Sequence, residues 1–257
     1  NYGYFGGGNP TSSVFDKIDW VTKTGAIMPG VTFASPSPGN FWSTGGASGD
    51  STDGYFVAGY YSPGASYINK LTYSSDTMAL IPGTMPWSSI YFCSVYGDST
   101  RGFIAGGASP ASNQHSDIAK ITYSSGTVAT IPARITPGPA TPSGRANVAA
   151  MESSTAGYIC GGDSPSNLSI VDKNTFSDDT CARIPGADLQ PGVERMGATA
   201  SEFAGYIAGC QSPQRSWVQK LTFATETTTN PTTFSLSTGR EDATGAGSSD
   251  NGMKGAL

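Results

Sequence analysis

The residues best suited to chemistry in this 257-residue chain are few and widely spaced. Tyr60, Tyr61, Trp87, Gln114, His115, Arg134, Arg145, Arg215 and Trp217 fall in connecting stretches, with Ser-Pro turns at Pro63, Pro110, Pro165 and Pro213. Ring faces stack on the apolar faces of sugars, while amides and guanidinium groups bind hydroxyls. A set centred on Tyr60, Tyr61, Trp87, His115, Arg215 and Trp217 therefore suits carbohydrate. The same residue types are enriched at protein interfaces, and Trp217 at the start of a strand can serve packing alone. Sugar contact, protein contact and plain packing all remain open on the residues themselves.

Catalytic constellations are a poorer match. His115 is the one histidine and sits in an SNQHS stretch with no recurrent partner. No GxSxG, HExxH or Gly-rich phosphate loop occurs. Glycosidases need two facing carboxylates, yet the acids Asp50, Asp53, Asp98, Asp178 and Asp179 cluster at turns. The stretches expected to line a central channel, VTFASP, YFCSVY, NVAAM and GATAS, carry none. Asp50 and Asp53 in GDSTDG could hold calcium, but the full ligand loop is missing and an ordinary Asp turn is expected. Cys93, Cys160, Cys181 and Cys210 match no zinc spacing and no dense disulfide framework, so they are expected as small buried apolar groups. No enzyme activity, metal or cofactor is expected.

Composition narrows the partners. With 14 basic and 19 acidic side chains and no basic run, nucleic acid is a poor partner, because affinity there rests on neutralising phosphates. No stretch approaches the roughly 18 to 20 apolar residues that cross a bilayer, and none reads as a signal peptide, so membrane insertion is not expected. The chain begins at Asn1, as a processed product or a piece of a longer protein would. The 34 Gly and 17 Pro argue against helices, while 27 aromatics are enough to build a core, so an all-β fold rich in turns is expected.

The elements that must hold these residues repeat. GYFGGG at Gly3 recurs as GYFVAG at Gly54, GFIAGG at Gly102, GYICGG at Gly157 and GYIAGC at Gly205, in steps of 51, 48, 55 and 48 residues. Each is followed by a Lys strand: KIDW at Lys17, KLTY at Lys70, KITY at Lys120, KNTF at Lys173 and KLTF at Lys220. Pro29, Pro82, Pro132 and Pro185 each stand 12 residues after the Lys, and Pro231 stands 11 after Lys220, a constancy that predicts a rigid hairpin. In the third unit, strands are predicted over Tyr91–Tyr96, Gly102–Gly106, Ile118–Tyr123 and Thr127–Ile131, the last taken to end before the Pro. In KLTY, Leu71 and Tyr73 share one face and Lys70 and Thr72 the other, giving the recurrent Lys a structural role.

Four-stranded units of about 50 residues, each burying its faces against neighbours, predict a five-bladed β-propeller spanning 1–257 as a single domain. The units are expected near 1–35, 36–85, 86–135, 136–188 and 189–235, with a closing strand in 236–257. DATGAGSSDNG near the C-terminus reads as a first strand and turn that completes the first unit and closes the ring, removing a sheet edge.

The units resemble kelch repeats: a Gly pair ends the second strand (Gly106 and Gly107, Gly161 and Gly162), an aromatic follows on the next (Tyr123, Phe176), and a Pro comes after the fourth. They depart from kelch where that family carries a Trp, since Met78, Val128 and Cys181 stand there. GYFGGG with KIDW is more similar to repeats of large structural and tail-associated proteins of marine phages, notably cyanophages, over essentially the whole chain. That resemblance implies a virion or extracellular setting, other virion proteins and a host receptor or glycan as partners, and a place in a larger, oligomeric assembly. It implies a fibre or decoration protein, with a secreted lectin or a propeller glycoside hydrolase as the alternatives.

Unit lengths vary in two connections only: from strand Gly to Lys (14, 16, 18, 16 and 15 residues) and from Pro to the next strand Gly (25, 20, 25 and 20). In a four-stranded antiparallel meander both leave on the same side. Binding residues favour loops on a rigid scaffold, so recognition is expected on that variable side.

Overall fold

A computed structural model describes residues 2–6, 14–19, 21–33, 46–57, 67–87, 90–109, 113–139, 144–164, 166–211, 214–230 and 235–240. Five small antiparallel sheets are arranged as a five-bladed β-propeller. β1 (Tyr2–Gly6), β2 (Val14–Asp19) and β3 (Thr24–Thr32) form the first sheet, and β4 (Ala47–Gly49), β5 (Asp53–Val57), β6 (Ile68–Thr72) and β7 (Thr77–Leu80) the second. The third contains β8 (Ser94–Gly97), β9 (Arg101–Ala105), β10 (Asp117–Thr122) and β11 (Thr127–Arg134). The fourth contains β12 (Ala149–Glu152), β13 (Ala156–Cys160), β14 (Val171–Thr175) and β15 (Thr180–Arg183). β16 (Gly197–Ala200), β17 (Ala204–Ala208), β18 (Arg215–Thr222), β19 (Thr227–Thr229) and β20 (Ser235–Arg240) make the fifth. The described residues contain no α-helix, only a single 3-10 turn at Pro185–Ala187.

Three expectations need correcting. The sheets are not uniformly four-stranded among the described residues: the first has three strands and the fifth has five. The recurrent Pro follows the end of the strand in the second and fourth sheets, where β7 stops at Leu80 and β15 at Arg183, but not in the first and third. β3 passes Pro29 and Gly30 (φ 78°) with a register shift and pairs again at Val14↔Thr32, and β11 continues to Asp117↔Arg134. An edge strand tolerates the missing N–H, so in these two sheets the Pro marks a bulge rather than a stop. Consequently VTFASP is not an innermost strand: Val31 and Thr32 finish β3, and β4 is the inner strand of the second sheet. Residues 235–240 form β20, which pairs with β18 at Arg215↔Arg240 and Trp217↔Ser235 and prolongs the fifth sheet past residue 235. The pairing expected for residues 242–250 lies outside the described residues.

The core lies between sheets. Phe15, Met28, Val31 and Leu71 join the first sheet to the second, Tyr55, Ile90, Ile104 and Ile121 the second to the third, Phe103, Ile118, Ile131 and Ile159 the third to the fourth, and Tyr158, Val193, Ile207 and Leu221 the fourth to the fifth. One aromatic per junction is set by the repeat. Tyr4 stacks on Tyr73 (4.9 Å), Tyr55 on Tyr123 (4.5 Å), Phe103 on Phe176 (5.3 Å) and Tyr158 on Phe223 (4.8 Å), always from the strand that carries the repeated Gly to the outer turn of the next sheet. Those turns end on a residue with positive φ: Lys23 (58°), Asp76 (50°), Gly126 (63°), Asp179 (56°) and Glu226 (51°).

The recurrent Lys reaches that turn residue in the next sheet. Lys17 pairs with Asp76 (2.7 Å), Lys120 with Asp179 and Lys173 with Glu226. Where Gly126 leaves no acid, Lys70 turns to Asp53 of its own sheet (2.8 Å). The lysine is therefore committed to the fold. In Lys17 and Lys173 the carboxylate partner outweighs burial and raises the ammonium's pKa.

Candidate functional site

Connections from second to third strand and from fourth strand to the next sheet leave each meander on one side, and the sequence candidates follow them. Trp87 lies between β7 and β8, and His115 between β9 and β10. Their rings meet at 5.6 Å and 42°. The His115 backbone N–H donates to Gly107 O (2.9 Å) and its carbonyl accepts from Arg145 N (3.3 Å), which fixes the loop. Nε2 of His115 is buried with no hydrogen bond among the described residues. Burial lowers the imidazole pKa, with nearby Asp117 opposing, so the ring is neutral at neutral pH. Trp87 itself rests half-buried on the cluster between the second and third sheets.

A second pair lies at the start of β18, where the Arg215 guanidinium stands 5.7 Å from the Trp217 ring. Trp217 packs against the cluster between the fourth and fifth sheets, so it combines packing with a partly open ring. Tyr60 and Tyr61, the other two candidates, lie outside the described residues. The structure thus forms two pairs, Trp87 with His115 and Arg215 with Trp217, on different sheets.

Three neighbours of this set are structural. Gln114 Nε2 donates to Asp163 O (2.9 Å) and approaches Asp163 Oδ2 (3.3 Å), bridging the third and fourth sheets. Arg134 pairs across its own hairpin with Asp117 (2.9 Å). Arg145 is no loop contact at all: it is completely buried. Its guanidinium donates to Gly161 O (2.7 Å), Ile170 O (3.0 Å), Ile159 O (3.4 Å) and the carboxylate of Asp172, which also accepts from Thr136 N (3.1 Å) and Thr136 Oγ1 (2.6 Å). A charge this deep persists only when paired and hydrogen-bonded. The sequence signal that was missed is a polar residue just before the recurrent Lys, on the Leu71 face of the strand. Asn69, Asp172 and Gln219 stand there, all fully buried.

The turn acids are also explained by the fold. Asp50 Oδ1 accepts from Thr52 N (2.7 Å), Thr52 Oγ1 (2.7 Å) and Asp53 N (2.8 Å), and Asp98 repeats the motif with Thr100 and Arg101. Asp53 is taken by Lys70 and by Thr72 Oγ1 (2.7 Å). Among the described residues no group of three or more His, Cys, Asp or Glu is placed to hold a metal ion. Cys93, Cys160 and Cys210 are buried, Cys181 is partly so, and all four are free thiols. Burial pushes Cys93, Cys160 and Cys181 up to about 12, leaving them protonated and unreactive. Side chains here can stack on and hydrogen-bond to a ligand; among the described residues of the site they form no nucleophile and base pair. No family model and no curated protein matches this chain.

Proposed function

We propose that this chain is a non-enzymatic binding or structural module of a phage particle, a fibre or decoration protein that contacts the host surface or its glycans. The observation carrying this reading is the placement of two aromatic pairs, Trp87 with His115 and Arg215 with Trp217, at the side where connections of unequal length leave a rigid scaffold. The repeat resemblance supplies the setting. The inner strands β4, β8, β12 and β16 carry one acid, Glu152, where hydrolysis of a glycoside needs two facing carboxylates. A glycan array paired with a hydrolysis assay on host polysaccharide tests it. Binding without sugar release is expected; release at ordinary turnover rejects it. Arg215→Ala is expected to weaken attachment by about ten-fold or more, while Asp98→Ser on the opposite side leaves attachment unchanged.

The same reading closes the ring by adding residues near 242–250 to β1 as its inner strand. Phe5 and Ile18 occupy positions that in the later sheets bury against the preceding one, as Ile104, Ile159, Ile207 and Ile121, Leu221 do. Cys210 N donates to Arg240 O (2.9 Å), just as Gly107 N does to Arg145 O (2.9 Å) and Gly162 N to Val193 O (2.8 Å). Arg145 and Val193 each lie four residues before an inner strand, β12 and β16, so the same spacing after Arg240 supports another. Truncation after Arg240 is expected to lower the melting temperature by about 10 °C, and an unchanged melt rejects closure.

A further inference from the structure

The repeat dictates an aromatic at Tyr4, whose counterparts Tyr55, Phe103, Tyr158 and Tyr206 follow the same strand Gly. It dictates nothing of the kind two residues earlier. There Tyr2 is matched by Asp53, Arg101, Ala156 and Ala204. Two of those side chains are consumed by the fold: Asp53 by Lys70 (2.8 Å), and Arg101 by Phe176 O (2.9 Å) and Asp98 (3.1 Å). Tyr2 is not. The residue is 48% exposed, with the Lys17 ammonium 4.0 Å from its ring centroid. Tyr2 thus places an exposed aromatic where the repeat fixes no residue type.

Tyr2 walls a cleft of about 440 Å³ between the first sheet and the outer turn of the second, with Lys17, Asp19, Thr24, Ser75 and Asp76 around it. Ligand pockets start at roughly 300 Å³. Asp76 takes Lys17 through both oxygens (2.9 and 2.7 Å) and Tyr4 OH through Oδ1 (3.4 Å), and Asp19 Oδ1 takes Val21 N (2.8 Å) and Thr22 N (3.3 Å). A carboxylate offers about four acceptor sites, so both retain capacity for ligand hydroxyls. Both carboxylates border the cleft, with Lys17 between Asp76 and the Tyr2 ring.

We propose that this cleft is a second carbohydrate subsite, selective for neutral sugars, in which Tyr2 stacks on a sugar ring while Asp19 and Asp76 accept from its hydroxyls. It lies beside the outer turn, on the opposite side from Trp87 and Arg215, and it rests on the glycan reading proposed above. Acceptor carboxylates favour hydroxyls over a uronate's own carboxylate, which distinguishes stacking plus acceptance from simple ion pairing with Lys17.

N-acetylglucosamine, methyl galactoside and glucuronate titrated into the 257-residue chain, followed by saturation-transfer NMR and calorimetry, test the assignment. At least one of the neutral sugars is expected to bind in the millimolar range, and glucuronate is not. Tyr2→Ala is expected to weaken binding by at least about ten-fold and Tyr2→Phe by less than about three-fold, both with unchanged thermal melts. Asp98→Ser, in the turn before β9, is expected to leave this binding unaltered. Absence of binding by both neutral sugars, preference for glucuronate, or undiminished binding by Tyr2→Ala overturns the proposal. Binding lost in Arg215→Ala but retained in Tyr2→Ala also overturns it, while leaving the function proposed above standing.

Discussion

The first and fourth sheets carry the same motif and differ in what covers them. Every residue of β13 is buried, whereas no residue of β1 is. Ile159 is 0% exposed and its counterpart Phe5 is 48% exposed; Asn174 is fully buried and its counterpart Ile18 only half so. The outer turn of the fourth sheet ends on Asp179, held by Lys120, while that of the first ends on Lys23. The corresponding strand of the repeat is core or surface according to its neighbour, because a blade owns only half of each interface it belongs to. The fourth sheet has neighbours on both faces and the buried Arg145–Asp172 pair besides.

The sharpest way to break this contrast is to remove Arg145. Arg145→Leu leaves Asp172 buried without its cation, and chemical denaturation is expected to show a loss of about 3 to 5 kcal/mol. A loss under about 1 kcal/mol would mean that the fourth sheet gains no more from its interior than the first does. The stacked tyrosines test the packing side. Tyr158→Ala, deep against Phe223, is expected to cost about 3 to 5 kcal/mol, and Tyr4→Ala, half-buried against Tyr73, about half as much. Equal losses would show that the first sheet is as fully covered in solution as the fourth.

A smaller effect concerns the outer turns. Asp179→Ala removes the partner of Lys120 and places a Cβ residue without a polar tip at φ 56°, for an expected cost of about 1 to 2 kcal/mol. Asp179→Gly loses the same ion pair but relieves the backbone, so its melt is expected within about 0.5 kcal/mol of the parent. Gly126, at φ 63° in the third sheet, is nature's version of that exchange.

The smallest effect is pH-dependent. His115 titrates below its ordinary 6.5 in the folded chain, so below that pH the unfolded chain binds the extra proton more readily. Stability is therefore complete above about pH 6.5 and declines as pH falls from there through the depressed folded value. His115→Gln is expected to flatten that decline in thermal melts between pH 7 and 5. An unchanged slope would mean that Trp87 and its loop do not hold the ring in place.

Much of this was legible in the chain. Regular recurrence of GYFGGG and the Lys strand determined five sheets, their antiparallel order, the aromatic between neighbours and the structural use of the Lys, because period-2 alternation and tight turns are local properties. The Pro marker misled in the first and third sheets, since a bulge and a strand end look alike until the partner strand shows pairing resumed at Thr32 and Arg134. Arg145 could not be placed either. Its loop reads as solvent-facing, and only the assembled fold brings Asp172, 27 residues on, together with the carbonyls of Gly161 and Ile170 around it. Tyr2 is the converse case, an ordinary strand residue by pattern whose exposure emerges only once the outer turn of the second sheet, with Ser75 and Asp76, stands across from it. Sequence periodicity specifies what each blade repeats; which copies are buried, paired or open depends on contacts between blades, and those form across separations that no local pattern encodes.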